Sequence, residues 1–175
     1  MNLLSLDLEM NQPSNKIIQV GWTVGDPLTG RTYAIEGRYV FLDEPLDKMI
    51  SNLCGIQQET LDKSGSLIQA YLDLHQDYLK YDCSYTTLAW SKGDLALLKK
   101  QLPPDIVPWP FGQHYIDAKN LYQSWKLKTG ADHLKGGLAR AMTKFKIPFE
   151  GRKHNAKDDA YNTFRIYARL LQEFK

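Results

Sequence analysis

The chain has 175 residues, 43% of them hydrophobic, and a formal net charge of +2 at neutral pH. That composition fits a single globular domain with a sizeable core and excludes a bulk-basic nucleic-acid binder. Its two cysteines, Cys54 and Cys83, form neither a metal-type spacing nor a disulfide framework and fit a reducing, cytoplasmic setting. The early position of Asp7 and Glu9 reads as leaving no room for a signal peptide, and no apolar run nears the ~20 residues of a membrane span.

Leu3 to Glu9 (LLSLDLE) reads as a buried central strand. Asp7 and Glu9, two positions apart, then share one face with Cα atoms about 6.6 Å apart. Burying two like charges side by side is costly unless a hard divalent cation, which takes oxygen ligands, lies between them. An edge strand with both acids in water would need no cation, and the strand alone leaves both readings open.

Met10 to Asn15 carries turn chemistry, Lys16 to Val24 reads as a second strand, and Gly25-Asp26-Pro27 with Thr29-Gly30 punctuates a hairpin into a third strand over Arg31 to Phe41. A short proline-started helix is expected over Pro45 to Leu53, followed by a break at Gly55-Ile56-Gln57-Gln58. Ser66 to Leu79 is amphipathic, with Leu67, Ala70, Tyr71, Leu74 and Tyr78 on one face. Tyr85 to Trp90 is a fourth strand, and Gly93-Asp94 opens a helix that stops before Pro103-Pro104. A loop over 104–112 leads to a short fifth strand over Gln113 to Asp117 and a helix over Ala118 to Lys126. Another helix is expected over Leu134 to Phe145, with Leu138, Ala141, Met142 and Phe145 inward, and a last one runs from Ala156 to the end. The order implies one sheet, opened by a three-strand antiparallel meander, with helices on its faces.

Asp94 and Asp117 both sit where a strand gives way to a helix, a position that also suits a helix cap. The most informative downstream stretch is Gly151 to Ala160 (GRKHNAKDDA). Asp159 shares its helical stripe with Thr163, Ile166 and Leu170, the apolar side, and is the candidate inward ligand. Asp158 shares its stripe with Asn162, Arg165 and Arg169, which is expected to face water. His154 lies in the preceding loop and, next to a metal cluster, is a candidate general base. From Lys135 to Lys157 the residues Lys135, Arg140, Lys144, Lys146, Arg152, Lys153 and Lys157 form a basic face, which by itself reads as solvated surface.

Asp7-x-Glu9, then Asp94, then His154 with Asp159 five positions on, resembles the DEDDh group of 3′–5′ exonucleases, which includes RNase T, oligoribonuclease and proofreading exonucleases. Ile17-Ile18-Gln19-Val20-Gly21, Leu53 to Leu61, Trp90-Ser91-Lys92-Gly93-Asp94 and Gly151 to Ala160 are similar to successive segments of that family, so the resemblance spans nearly the whole chain. It implies one exonuclease domain over 1–175, with a ribonuclease H-like α/β fold: a mixed five-stranded sheet flanked by helices. It implies two Mg²⁺ or Mn²⁺ ions held by Asp7, Glu9 and Asp159, with Asp94 contributing directly or through water, and His154 as the base. It places Met10, Asn11 and Ile56 near the terminal nucleotide, and Arg152 and Lys153 are the best candidates to meet phosphates. Trp90 could stack on a base, although an apolar strand end reads first as core. Single-stranded RNA or DNA 3′ ends are the implied partners, with RNA favoured by Asp-Leu-Glu-Met and the second motif, and the resemblance admits a homodimer. Met10-Asn11-Gln12 stands where many members have Thr-Thr-Gly, which bears on substrate. A binding module that has lost activity is the alternative.

Overall fold

A computed structural model describes residues 1–90, 92–104, 108–112, 114–131 and 136–174. Five strands, β1 (Leu3–Met10), β2 (Ile17–Asp26), β3 (Arg31–Tyr39), β4 (Thr87–Ala89) and β5 (Tyr115–Asp117), form one sheet in the order β3-β2-β1-β4-β5. The first three strands pair antiparallel, while β4 and β5 run parallel to β1. This is the mixed five-stranded sheet the sequence implies, and β1 lies at its centre.

Strand alternation sorts the sheet into two faces. Leu4, Leu6 and Leu8 of β1, with Val20, Trp22 and Val24 of β2, form the main core cluster with Tyr71 and Leu74 of α3 (Leu67–Lys80). Leu98 of α4 (Asp94–Gln101) joins the same cluster. The alternate residues of β1, Leu3, Ser5, Asp7 and Glu9, project to the other face. There the last helix, α7 in chain order (Ala156–Glu173), crosses β1 and β2. Ser5 Oγ donates to the Ala160 carbonyl at 2.8 Å. The remaining helices are α1 (Lys48–Cys54), α2 (Gln58–Asp62), α5 (Ala118–Thr129) and α6 (Leu138–Lys144), the last two packing on α7.

The close seating of α7 depends on β2 having almost no side chain beneath the helix start. A Cβ at Gly21 would lie 2.0 Å from the Ala156 carbonyl carbon, and one at Gly25 would lie 2.5 Å from the Phe164 ring. Gly21→Ala must therefore lift the first turn of α7 or bend β2. The expected loss is about 1–3 kcal/mol, the usual cost of overpacking, measured as a lower denaturation midpoint. A Gly21→Ala protein as stable as wild type would contradict this seating.

Several boundaries differ from the sequence reading. The helix expected from Pro45 begins at Lys48, because the Asp47 carboxylate accepts the Met49 and Ile50 N–H groups and caps it there. A short α2 occupies Gln58–Asp62, too brief to show helical periodicity. Strand β4 is only Thr87–Ala89, and Tyr85 is exposed. The helix expected from Leu134 is described only from Leu138, with Gly137 as its N-cap. Ser91, Gln113, Leu134, Lys135 and Lys175, which figured in the sequence reading, lie outside the described residues, as do 105–107 of the expected loop.

Candidate active site

Four acids from three separate segments converge at the end of β1. Asp7 and Glu9 come from β1 itself, where they oppose Gly21 and Gln19 of β2. Gln19 uses its nearly buried side chain to accept the Ala156 N–H at 3.0 Å, which anchors the start of α7 on β2. Asn155 caps the same helix by accepting the Asp158 N–H. Asp159, one turn in, is thereby turned toward β1.

Asp94 arrives from the strand on β1's other side. Gly93, at φ 128°, makes the turn out of β4, a conformation that favours glycine. Gly93 is the N-cap of α4, and Asp94 is its first helical residue, so the carboxylate is not spent on capping. Asp117 is the contrasting case: it caps α5 by accepting the Asn120 N–H at 2.8 Å, as expected.

His154 adopts φ 59°, and its backbone N–H donates to Asp159 Oδ2 at 3.1 Å. Potential ligand atoms of Glu9, His154 and Asp159 lie within 4.8 Å of one another. The loop is closed from behind by Asp158, whose carboxylate accepts the Arg152 N–H at 2.7 Å. Asp158 therefore shapes the histidine loop instead of merely facing water. Asn162, on the same stripe, is fully buried, bonding the Glu150 backbone and the Asp158 carbonyl. The stripe looked polar because it satisfies a loop's backbone.

The electrostatics of the four acids are those of a site short of positive charge. Burial, and then the charges of Asp94, Asp159 and Glu9, push the Asp7 carboxyl well above its usual range. Burial raises Glu9 to about 7 and both Asp94 and Asp159 to about 6. Among the described residues, none of the four is in a salt bridge. A set of partly buried, mutually repelling carboxylates with a neighbouring imidazole fits hard divalent cations, whose charge would reverse these shifts. Cys54 Sγ donates to Glu9 Oε2 at 3.1 Å; burial, and then the Glu9 carboxylate, push its thiol up to about 12.

The exonuclease family designated RNase T matches residues 4–167. The chain belongs to this exonuclease family. Its fold is that of a DEDDh-type exonuclease in the ribonuclease H-like superfamily. Cell-death related nuclease 4 (CRN-4) superposes with a TM-score of 0.83 at 22% identity, over 98% of this chain and 64% of its own. The chain thus spans less than two thirds of that nuclease. The nuclease domain of 3'hExo, a DEDDh family member solved bound to rAMP, gives 0.78 at 19% identity, over 98% of this chain and 92% of that one. Pop2p of S. pombe, in a Mg²⁺- and Mn²⁺-bound form, gives 0.71 at 19% identity, over 98% and 83%. At these identities the likeness is one of fold. No curated protein sequence matches the chain.

Around the acids of this exonuclease the structure separates the residues expected to meet substrate. A cavity of about 480 Å³ opens beside Asp7, His154 and Asp159, bordered by Trp90, Arg140 and Lys153. Trp90 is half-buried, packing toward the interior as well as bordering that cavity. Met10 borders a separate groove with Lys16, Lys92 and Asp94. Asn11 holds the turn that follows β1. It is 1% exposed, donating to Glu44 and the Pro45 carbonyl and accepting the Asp47 N–H. Its amide secures the turn after β1 to the segment before α1. Ile56 is 2% exposed and sits in a core cluster with Ile18, Leu42 and Ile50. Arg152 reaches α1, donating to the Asn52 and Leu53 carbonyls at 3.2 and 3.3 Å. Among the described residues no helix is long and apolar enough to cross a membrane.

Proposed function

We propose that this exonuclease domain is a divalent-metal-dependent 3′–5′ enzyme that shortens single-stranded nucleic acid and releases nucleoside 5′-monophosphates. The observation that carries the reading is the convergence of Asp7, Glu9, Asp94 and Asp159, with raised pKa values and, among the described residues, no salt-bridge partner, beside the loop histidine His154. Mg²⁺ or Mn²⁺ would be held by Asp7, Glu9 and Asp159, with Asp94 completing the set directly or through water. Two such ions would polarise the phosphodiester and stabilise charge on the attacking and leaving oxygens.

The chain's own residues supply the rest of the chemistry. His154, exposed at the site's edge, is the general base that takes the proton from the attacking water. The hydrogen bond from its N–H to Asp159 keeps the loop against the acids. Arg140 and Lys153 border the cavity with positive charge and are placed to meet phosphates of the strand. Trp90 presents an aromatic wall on which a base could stack, at ~1–3 kcal/mol. RNA is the favoured substrate on the sequence motifs.

The test is digestion of 5′-labelled single-stranded RNA and DNA of matched sequence, with Mg²⁺, Mn²⁺ or chelator, by wild type and Asp159→Ala. The expected result is a ladder that shortens from the 3′ end, faster on RNA, and is absent with chelator and in the variant. Binding without cleavage under all conditions would replace this reading with the inactive binding module.

A further inference from the structure

One short helix end touches both halves of the site. The last residue of α1, Cys54, is 2% exposed and directs its thiol at Glu9 Oε2. The next residue, Gly55, closes the helix at φ 71°, a left-handed conformation. A Cβ there would lie 1.8 Å from the Arg152 guanidinium, so the arginine rests directly against the glycine. Arg152 then donates to the Asn52 and Leu53 carbonyls, two of the acceptors a helix leaves unpaired at its C-terminus. Arg152 belongs to the loop that ends in His154, and its own N–H is held by Asp158.

We propose that the end of α1 is a positioning device for the active site, with Cys54 as the residue that orients the Glu9 carboxylate and Arg152 as the residue that fixes the histidine loop to the same helix. A carboxylate on a strand is free to rotate about its terminal bond unless one oxygen has a fixed donor. The Cys54 thiol supplies that donor from a buried, well-packed position. Arg152 holds the opposite side, so that Glu9 and His154 are set relative to one another through a seven-residue helix. The inference rests on the metal reading above: Glu9 is a ligand, and partners that orient metal ligands commonly affect affinity or activity by ~10–100-fold.

The test measures Mn²⁺ binding by electron paramagnetic resonance, alongside steady-state kinetics, for Cys54→Ala, Cys54→Ser, Arg152→Gln and the packing control Ile50→Val. Cys54→Ala is expected to weaken Mn²⁺ binding by about ten-fold. Cys54→Ser, which keeps a hydrogen-bond donor, is expected to recover most of that loss. Ile50→Val, in the same core cluster, should lower the melting temperature without changing Mn²⁺ affinity, which separates orientation from packing. Arg152→Gln should lower kcat with KM and its salt dependence unchanged. Wild-type affinity in Cys54→Ala, or equal losses in the alanine and serine variants, would overturn the role of the thiol. A raised KM with a flatter salt dependence in Arg152→Gln would make that residue a phosphate contact and overturn the clasp. A wild-type protein that binds no Mn²⁺ would instead remove the metal reading itself.

Discussion

Asp7→Asn is expected to abolish activity and, in the absence of metal, to make the protein more stable. Asp7 lies between Leu6 and Leu8 at the centre of the sheet, and three other carboxylates raise its pKa after burial itself. Asparagine keeps the shape of the side chain and removes the charge. For catalysis the loss should be about a thousand-fold or more, since about 4 kcal/mol of barrier corresponds to three decades of rate and a metal's charge stabilisation is worth several kcal/mol. For folding the sign reverses. One like-charge pair about 7 Å apart at an effective dielectric of ~20 repels by about 2 kcal/mol. Relief of about half of that should raise the metal-free melting temperature by roughly 2–4 °C for a chain of this length. Thermal denaturation in chelator, paired with the labelled-strand assay, reads both effects. A variant that is inactive and less stable would mean Asp7 is a structural residue, and one that remains active would remove it from the site.

The fold was largely legible because its two periodicities are clean. The run Leu3 to Glu9 alternates so that one face takes leucines and the other takes Ser5, Asp7 and Glu9, and the structure keeps that division across β2 as well. The helix over Ser66 to Leu79 buries Ala70, Tyr71, Leu74 and Tyr78, four of the five residues its stripe named. Boundaries were less legible where a single side-chain bond sets them, as when Asp47 starts α1 three residues after Pro45. The grouping of the acids came from motif order and spacing, since no local pattern says that residue 94 meets residue 7.

The supporting residues of the site were hidden for a definite physical reason. Gln19, Asp158 and Asn162 act by bonding backbone groups of other segments, and that purpose leaves no periodic trace. Asn162 was placed on a water-facing stripe because hydropathy cannot distinguish an amide that satisfies a buried loop from one that meets solvent. Family likeness points Asn11 and Ile56 toward substrate, and the basic run beside His154 points Arg152 there. In the structure their side chains serve the turn after β1, the core and the end of α1. Lys153 and Arg140 border the cavity beside Asp7, His154 and Asp159. In this region charge type was therefore a weaker guide than neighbourhood: of two adjacent basic residues, one is used as a helix cap and one borders the cavity.

The four acids also predict how stability depends on pH and metal together. The ordinary values are 3.8 for Asp and 4.5 for Glu; folding raises Asp94 and Asp159 to about 6, Glu9 to about 7, and Asp7 well above its ordinary value. A carboxyl whose folded pKa lies above its unfolded value binds its proton more tightly when folded. Below about pH 4 both states are protonated, so the cluster carries no ionisation penalty. Stability is then lost as pH rises through the window from about 4 to about 7, where the unfolded chain ionises before the folded one. Asp43 and Asp73, paired with Lys16 and Arg38, have lowered pKa values and lose their contribution only as pH falls into the acid range. Between pH 5 and 8 the cluster therefore dominates the slope, and the metal-free melting temperature should fall across that interval. Mg²⁺ or Mn²⁺, as proposed, would bind the ionised acids, so it should stabilise strongly at pH 8 and weakly at pH 5. At a hundred-fold excess over Kd the gain is about 2.7 kcal/mol, which corresponds to roughly 5–10 °C at this chain length. Melting curves at pH 5, 6.5 and 8, each with chelator and with each metal, provide the comparison. A stabilisation that is equal at all three pH values, or absent at pH 8, would show that the cation does not bind where these carboxylates converge. Asp7→Asn should flatten both the metal-free slope and the response to metal, because one substitution removes a raised acid and a proposed ligand together.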